Sequence, residues 1–270
     1  MGALALRALR KCEVHLVCHP ISGSLWRLFD PKQWVLDLMR VTGVIPTYNE
    51  RLNIEKLVEA LKSAVPDLSL VIVDDQSPDG TAEAVRRMQS EYPGIDLLVR
   101  SGKLGFGSAY LEGFQKALRD PLVEAVLMMD ADLSHDPAVV PRLIEGLVDC
   151  DVVIGSRYVK GGRVEGWPVH RRLLSRFGNL YARTITRMHL RDCTAGFLLL
   201  RRPVVEKLLA SPPKLTGYAF LMEVKHKVWT WKLCVREFPI VFRNRIRGQS
   251  KISSGIIKEG ILAPWILRKQ

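Results

Sequence analysis

Paired cysteines, long apolar runs and the common nucleophile and phosphate motifs are all missing from this chain, and each absence removes a class of protein. The five cysteines, Cys12, Cys18, Cys150, Cys193 and Cys234, are odd in number, scattered and never spaced C-x-x-C. That pattern argues against a zinc ribbon or a disulfide framework and suits a reducing, cytosolic setting. No window of about 18 uninterrupted apolar residues occurs, so no membrane-spanning helix is expected. Met1–Leu9 is weakly apolar, runs into Arg10-Lys11 and lacks an A-x-A site, so no signal peptide is expected either. Acidic residues are in short supply. Against 40 Lys+Arg there are 28 Asp+Glu, giving a formal net charge of +12. Such an excess implies anionic partners: nucleotide, nucleic acid or an acidic membrane surface.

Hydrolase and mononucleotide motifs are absent as well. There is no G-x-S-x-G, and Ser134-His135 are neighbours whose side chains point apart at a strand end, so His135 reads as a loop or packing residue. Gly102-Lys103-Leu104-Gly105-x-Gly107 has Tyr110 where a dinucleotide fingerprint needs its third glycine, and no G-K-[S/T] follows at Walker A spacing. It reads as a flexible loop feeding a helix at Gly105, with Lys103 near a bound donor.

What is present is a 270-residue chain, 47% hydrophobic, long enough to bury a full core. Residues 1–42 are irregular; Trp26, Trp34 and Val35–Met39 suggest one short amphipathic helix in an extension of uncertain structure. From Val44 strands and helices alternate. Strands are expected at Val44-Ile45, Leu68–Val73, Ile95–Val99, Ala125–Met129 and Val152–Gly155. Helices are expected at Ile54–Ala64, Thr81–Glu91, Gly105–Leu118 and Pro137–Val148. This predicts an α/β fold with a mainly parallel sheet flanked by helices, spanning 43–253, followed by a short tail over 254–270. Right-handed crossovers put the loops after the strands on one edge. Glu50, Asp74, Asp75, Asp130 and Asp132 should therefore gather on one rim.

Asp130 and Asp132 carry the sharpest chemistry. They end an apolar strand one residue apart, at the edge where ligands bind in open α/β sheets, and two carboxylates there can share a hard cation. The structural alternative is a solvated turn, with Asp136 or Ser134 capping the helix at Pro137. Asp74-Asp75-x-Ser77-x-Asp79-Gly80-Thr81 is likewise both a good turn and a set of acceptors for a base or ribose.

Four segments together carry a resemblance. Val44–Glu50, Val73–Thr81, Met129–Pro137 and Gly155–Tyr158 occur in the order and spacing of the family 2 inverting glycosyltransferases. The chain is similar in particular to the polyprenyl-phosphate (dolichyl-phosphate) mannosyltransferases, from Val44 to about Ser253. The resemblance implies a GT-A fold that binds a nucleotide sugar, preferably GDP-mannose, with Mg²⁺ or Mn²⁺. By matching motif, Pro46, Tyr48 and Glu50 hold the nucleoside and Asp75 faces base or ribose. Asp130 and Asp132 meet the metal and donor, with Ser134 at the third metal position. Arg157, Arg171 and Ser175 match the residues that grip a lipid phosphate, and Arg245 and Lys251 those that fold over the donor diphosphate.

The segment from Arg157 to Arg187 holds eight Lys or Arg residues and one acid, Glu165. On a helix from Pro168 to about 187, Arg171, Ser175 and Asn179 share a stripe beside Leu173, Phe177, Leu180 and Tyr181. A basic helix with exposed apolar groups suits a membrane interface, while periodicity alone also allows a core-packed helix. Glu223 is placed either at the sugar or in a surface ion pair with Lys227, and Phe197 is expected to pack.

The expected activity is inverting transfer of mannose to a polyprenyl phosphate, making a lipid-linked donor for glycan assembly. The expected location is the cytosolic face of a membrane, peripherally or through an anchoring subunit. UDP-glucose is the alternative donor. A basic nucleic-acid-binding module is the alternative of another class, opposed by the absence of an aromatic RNA signature and by a carboxylate rim that would repel phosphate. A regulatory subunit with a dead pocket is opposed by the intact Asp130 and Asp132.

Overall fold

The computed structural model describes residues 39–244 and 254–269. The chain divides into two units, Met1–Trp34 and Val35–Gln270, and every described residue belongs to the second. The amphipathic helix expected near Trp34 falls outside the described residues, except for Met39, which is buried.

The elements are β1 (Val41–Thr47), α1 (Ile54–Ala64), β2 (Ser69–Asp74), α2 (Thr81–Glu91), β3 (Ile95–Val99), α3 (Phe106–Ala117), β4 (Ala125–Met128), α4 (Val140–Gly146) and β5 (Val152–Ser156). There follow β6 (Arg163–Val164), α5 (Val169–Thr186), β7 (Leu198–Arg201), α6 (Arg202–Ala210), α7 (Ala219–Thr230), β8 (Val235–Pro239), β9 (Val241–Phe242) and α8 (Ser254–Arg268). Seven strands form one sheet in the order β3-β2-β1-β4-β7-β5-β8, and β6 pairs with β9 separately. All neighbours in the large sheet run parallel except β7, which is antiparallel to both β4 and β5.

The central strands are near-continuous apolar runs because both faces are covered. Within β1 and β2, Val44, Val71 and Val73 face the layer holding α3, α5, α6, α7 and α8, while Ile45, Leu70 and Ile72 face α1, α2 and α4. Close approach of α3 to the sheet requires Gly113, where a Cβ would lie 2.3 Å from Val44 Cγ1 and 3.1 Å from Val73 Cγ2. Gly113→Val should cost about 1–3 kcal/mol by overpacking, measurable as a lower urea midpoint at unchanged m.

Strand order fixes where a ligand can bind. From β1 the chain proceeds outward through β2 and β3, then returns to place β4 on the other side of β1. This is a topological switch point, and open α/β sheets bind ligands at the carboxyl ends of the strands there. β4 is last paired at Met128, opposite Val44, whereas β1 continues to Thr47. Asp130 and Asp132 thus leave the sheet into the crevice beside the end of β1.

Two expected boundaries change. Residue 43 falls inside β1, which begins at Val41. The short tail over 254–270 is in fact α8: Ala263 and Leu267, four apart, are buried, and Trp265 Nε1 donates to Tyr181 Oη, which donates to the Ile261 carbonyl, both at 2.9 Å. Tyr181, expected on the exposed stripe of α5, is half-buried because it carries this contact.

Candidate active site

The loops after β1 and β2 are joined by side-chain bonds rather than by proximity alone. Asp74, expected on the rim, is fully buried and turned inward: it accepts from Thr47 Oγ1 at 2.8 Å, Ser77 Oγ at 2.6 Å and Ser77 N–H at 2.8 Å. It ties β1 to β2 and is not a ligand group. Asp79 accepts from Arg51 N–H at 3.0 Å, and Thr81 Oγ1 accepts from Glu50 N–H at 3.1 Å. The backbone is strained in the same place. Asn49 (φ 57°), Gln76 (φ 56°) and Leu133 (φ 61°) occupy left-handed conformations directly after β1, β2 and the β4 carboxylates. Asparagine tolerates that region, leucine does not, and such strain collects at functional sites. Leu133 is held there while Asp132 Oδ1 accepts from Ser134 N–H at 3.0 Å. Asp136 caps the turn at Pro137 by accepting from Ala138 N–H, so capping and the carboxylate site coexist in one segment.

Two cavities open on this rim. One, of about 480 Å³, is lined by Pro46, Tyr48, Glu50, Asp75, Lys103 and Phe106. The other, of about 310 Å³, is lined by Ser134, Arg157, Trp167, Arg171, Ser175 and Thr194. Asp130, Asp132 and Tyr218 line both. The two carboxylates therefore stand where the cavities meet.

In the first cavity Lys103 Nζ lies 4.5 Å above the Tyr48 ring, and Asn53 Nδ2 orients Glu50 by donating to Oε2 at 2.8 Å. Asp75 pairs with Arg100 Nη1 at 2.6 Å. Burial raises the Asp75 carboxyl above its ordinary value, and the guanidinium only partly offsets it. Tyr110 is fully buried under the carboxylates and stacks on Phe220 with centroids 5.9 Å apart, which explains why this position is not a glycine. Burial first, then Asp130 and Asp132, push its phenol well above the ordinary range.

In the second cavity the Arg171 guanidinium lies 4.0 Å over Trp167, and Ser175 Oγ accepts from Tyr158 Oη at 2.7 Å. Arg157 is less available than its motif implies. Its Nε and Nη2 donate to Asp192 at 2.8 and 2.7 Å and Nη2 also to Thr194 Oγ1 at 2.7 Å, all buried or nearly so. Burial opposes ionisation of Asp192, but the guanidinium outweighs it and holds the carboxyl below its ordinary value. Asn179, the third member of the stripe with Arg171 and Ser175, is turned inward and accepts from Cys193 N–H at 2.7 Å.

Several expectations change further. Glu223 is fully buried and lines neither cavity; Oε2 accepts from Lys214 and Leu215 N–H at 2.8 and 2.7 Å, with Lys227 at 3.9 Å. It anchors a loop, and the expected i,i+4 ion pair with Lys227 forms with its carboxylate end buried rather than on the surface. His135, by contrast, is the packing residue expected: it lies against Phe197 (4.9 Å) and Phe242 (5.2 Å), and burial lowers its pKa to about 4. Arg245 and Lys251 lie outside the described residues. Two further residues, carried by no motif, support the site. Arg100 was legible as a charge directly after β3. Lys225 was not, lying in the mostly apolar run of α7; it is buried and donates to the Cys193 and Ala195 carbonyls, and burial pushes it down to about 8. It braces the loop bearing Gly196, where a Cβ would come within 3.2 Å of Asp130 Oδ2.

A sequence model described as Glycosyl transferase family 2 matches residues 42–209. The chain belongs to glycosyl transferase family 2. This glycosyltransferase is 38% identical over 227 residues to an undecaprenyl-phosphate mannosyltransferase of Micrococcus luteus, covering 83% of this chain and 92% of that protein. It is 37% identical to a polyprenol monophosphomannose synthase of Mycolicibacterium smegmatis, covering 85% and 88%. Identity with a dolichol-phosphate mannosyltransferase of Pyrococcus furiosus is 41%, over 82% of this chain but 61% of that one. Among solved structures, glucosyl-3-phosphoglycerate synthase of Mycobacterium tuberculosis, crystallised with Mn²⁺ and UDP-glucose, matches with TM-score 0.64 at 17% identity, covering 93% of this chain and 84% of that one. The fold of this glycosyltransferase is GT-A.

Proposed function

We propose that this glycosyltransferase moves mannose from GDP-mannose to a polyprenyl phosphate with inversion, giving a β-linked mannosyl phosphate lipid. The observation that carries the reading is the pair of cavities meeting at Asp130 and Asp132, one suited to a nucleotide and one to a phosphate acceptor. The names of the relatives in Micrococcus, Mycolicibacterium and Pyrococcus support the same acceptor and sugar.

The donor set fits a divalent ion. Two hard carboxylates on one rim, with Gly196 leaving room beside Asp130, suit an ion that takes its remaining ligands from diphosphate and water. Mg²⁺ or Mn²⁺ held by Asp130 and Asp132 would neutralise charge on the departing diphosphate. Ser134 is buried beside them and would contribute at the third position.

The rest follows from the chain's own groups. Tyr48, Glu50, Asp75 and Lys103 would seat the nucleoside diphosphate; Arg171 and Ser175 would align the acceptor phosphate, with Arg157 behind them. Arg245 and Lys251 would close over the diphosphate. An acceptor oxygen, anionic at neutral pH, attacks the anomeric carbon as the bond from that carbon to the diphosphate breaks, and its electron pair leaves with GDP. No strong base is needed; alignment and charge stabilisation account for the rate. Nucleic acid has no part in this chemistry.

The lipid acceptor calls for a membrane surface. Among the described residues no helix is long and apolar enough to cross a bilayer. On α5, Leu173, Leu174, Phe177 and Leu180 are exposed, and on α8 so are Ile261 and Trp265. This face would lie in the interface, and an anchoring subunit on the cytosolic side would add to it.

Nucleotide titration tests the donor. GDP with Mg²⁺ should bind more tightly than UDP; UDP binding equally well or better would support UDP-glucose instead. Lys103→Ala should raise the donor KM by about 10-fold with kcat little changed, as loss of a charged contact made equally in ground and transition states.

A further inference from the structure

Beside the acceptor cavity, on the other flank of α5, lies a separate cleft of about 530 Å³. Lys160, Arg176, Arg183 and Arg191 line it together with Asn179 and Leu180, and no carboxylate does. It shares only Arg157 with the acceptor cavity, and that guanidinium is taken up by Asp192 and Thr194. Among the described residues, none of the other four cations has an ion-pair partner. Arg183 Nε is buried there without a hydrogen-bond partner. Glu237, on β8, is occupied by the backbone N–H groups of Arg191 and Asp192. Gathering like charges around a concave surface is unfavourable unless an anion binds between them.

We infer that this cleft is a second phosphate site, filled by the headgroup of an anionic glycerophospholipid and distinct from the acceptor site. The rim decides for a lipid over a soluble anion. Leu180 lines the cleft and is 56% exposed, and Phe177, on the same helix, is 67% exposed. A phosphodiester seated among the arginines would thus have acyl chains beside an apolar helix face. α5 would then present Arg171 and Ser175 to the acceptor and Arg176 and Arg183 to a resident lipid, fixing its rotation at the bilayer. The inference goes beyond the proposed reaction, since it concerns a lipid that is not consumed.

The test is co-sedimentation of the full chain with vesicles of phosphatidylcholine alone or of an equal mixture with phosphatidylglycerol. The chain should prefer the mixture. Arg176→Gln with Arg183→Gln should weaken partitioning onto the mixture by roughly 20-fold. Transfer to a short, water-soluble acceptor should stay unchanged, which separates this site from the catalytic one. Lys160→Gln, on an exposed loop, should show a smaller loss with no effect on folding. The control is Arg172→Gln with Arg187→Gln, which removes the same charge from α5 and its end but outside the cleft. An equal loss in that control would mean diffuse attraction and overturn the site. Inorganic phosphate is the second probe: if it raises Tm of the parent and not of the cleft variant, and the vesicle preference is absent, the cleft binds free phosphate and the lipid assignment fails.

Discussion

Asp132→Asn should lower sugar transfer by about 10³-fold or more while leaving the thermal midpoint nearly unchanged. The amide keeps the oxygen that accepts from Ser134 N–H and so keeps the strained turn at Leu133. What it removes is one of two carboxylate charges at the junction of the cavities, where, on the proposed reaction, stabilisation of the leaving diphosphate would be worth several kcal/mol. Asp132→Ala should be at least as inactive and somewhat less stable, because the loop loses its acceptor. Near-normal turnover of either variant with added Mg²⁺ would remove Asp132 from the metal role.

The second large effect is on stability. Asp192→Asn leaves the Arg157 guanidinium buried without its counter-charge, which costs about 3–5 kcal/mol when one partner of a buried pair is removed. Denaturant unfolding at neutral pH measures it directly. The pH dependence has a definite sign. Because the folded-state pKa of Asp192 is lowered, its contribution is fully present above the unfolded value of about 3.9 and is lost as pH falls below it through the folded value. Parent and variant should therefore converge in acid. Because the same pair positions Arg157, the variant should also lose acceptor affinity; unchanged stability would show that the pair contributes little.

Much of this was legible because local and tertiary signals agree. The switch from alternating to continuous apolar runs marks β2 and β4, and Asn53, Gly80 and Pro137 punctuate the helices close to where they begin. The carboxylate rim was legible for Glu50, Asp75, Asp130 and Asp132, since a residue following a strand must emerge on that edge. Asp74 was misplaced for a physical reason: a side chain at the last paired position of a strand can turn into the loop as easily as into the crevice, and only Thr47 and Ser77 decide which. Glu223 and Lys225 were obscured because ionisable groups in a helix normally face water, and their burial is set by the distant loop segments they hold. α8 is not legible as a packed helix because Lys258 and Glu259 interrupt its apolar pattern. Its Glu259 carboxylate instead packs against Gly217, where a Cβ would come within 2.6 Å of Oε2.

On the proposed reaction the Asp130–Asp132 junction joins a guanine nucleotide sugar to a lipid phosphate. The most direct measurement is transfer of label from GDP-mannose into an organic-extractable product, with and without a short polyprenyl phosphate and Mg²⁺. Extractable label is expected only when all three are present, as a β-linked mannosyl phosphate, and should be lost in Asp132→Asn. Label transferred from UDP-glucose but not from GDP-mannose, or extractable product that persists in Asp132→Asn, would contradict it.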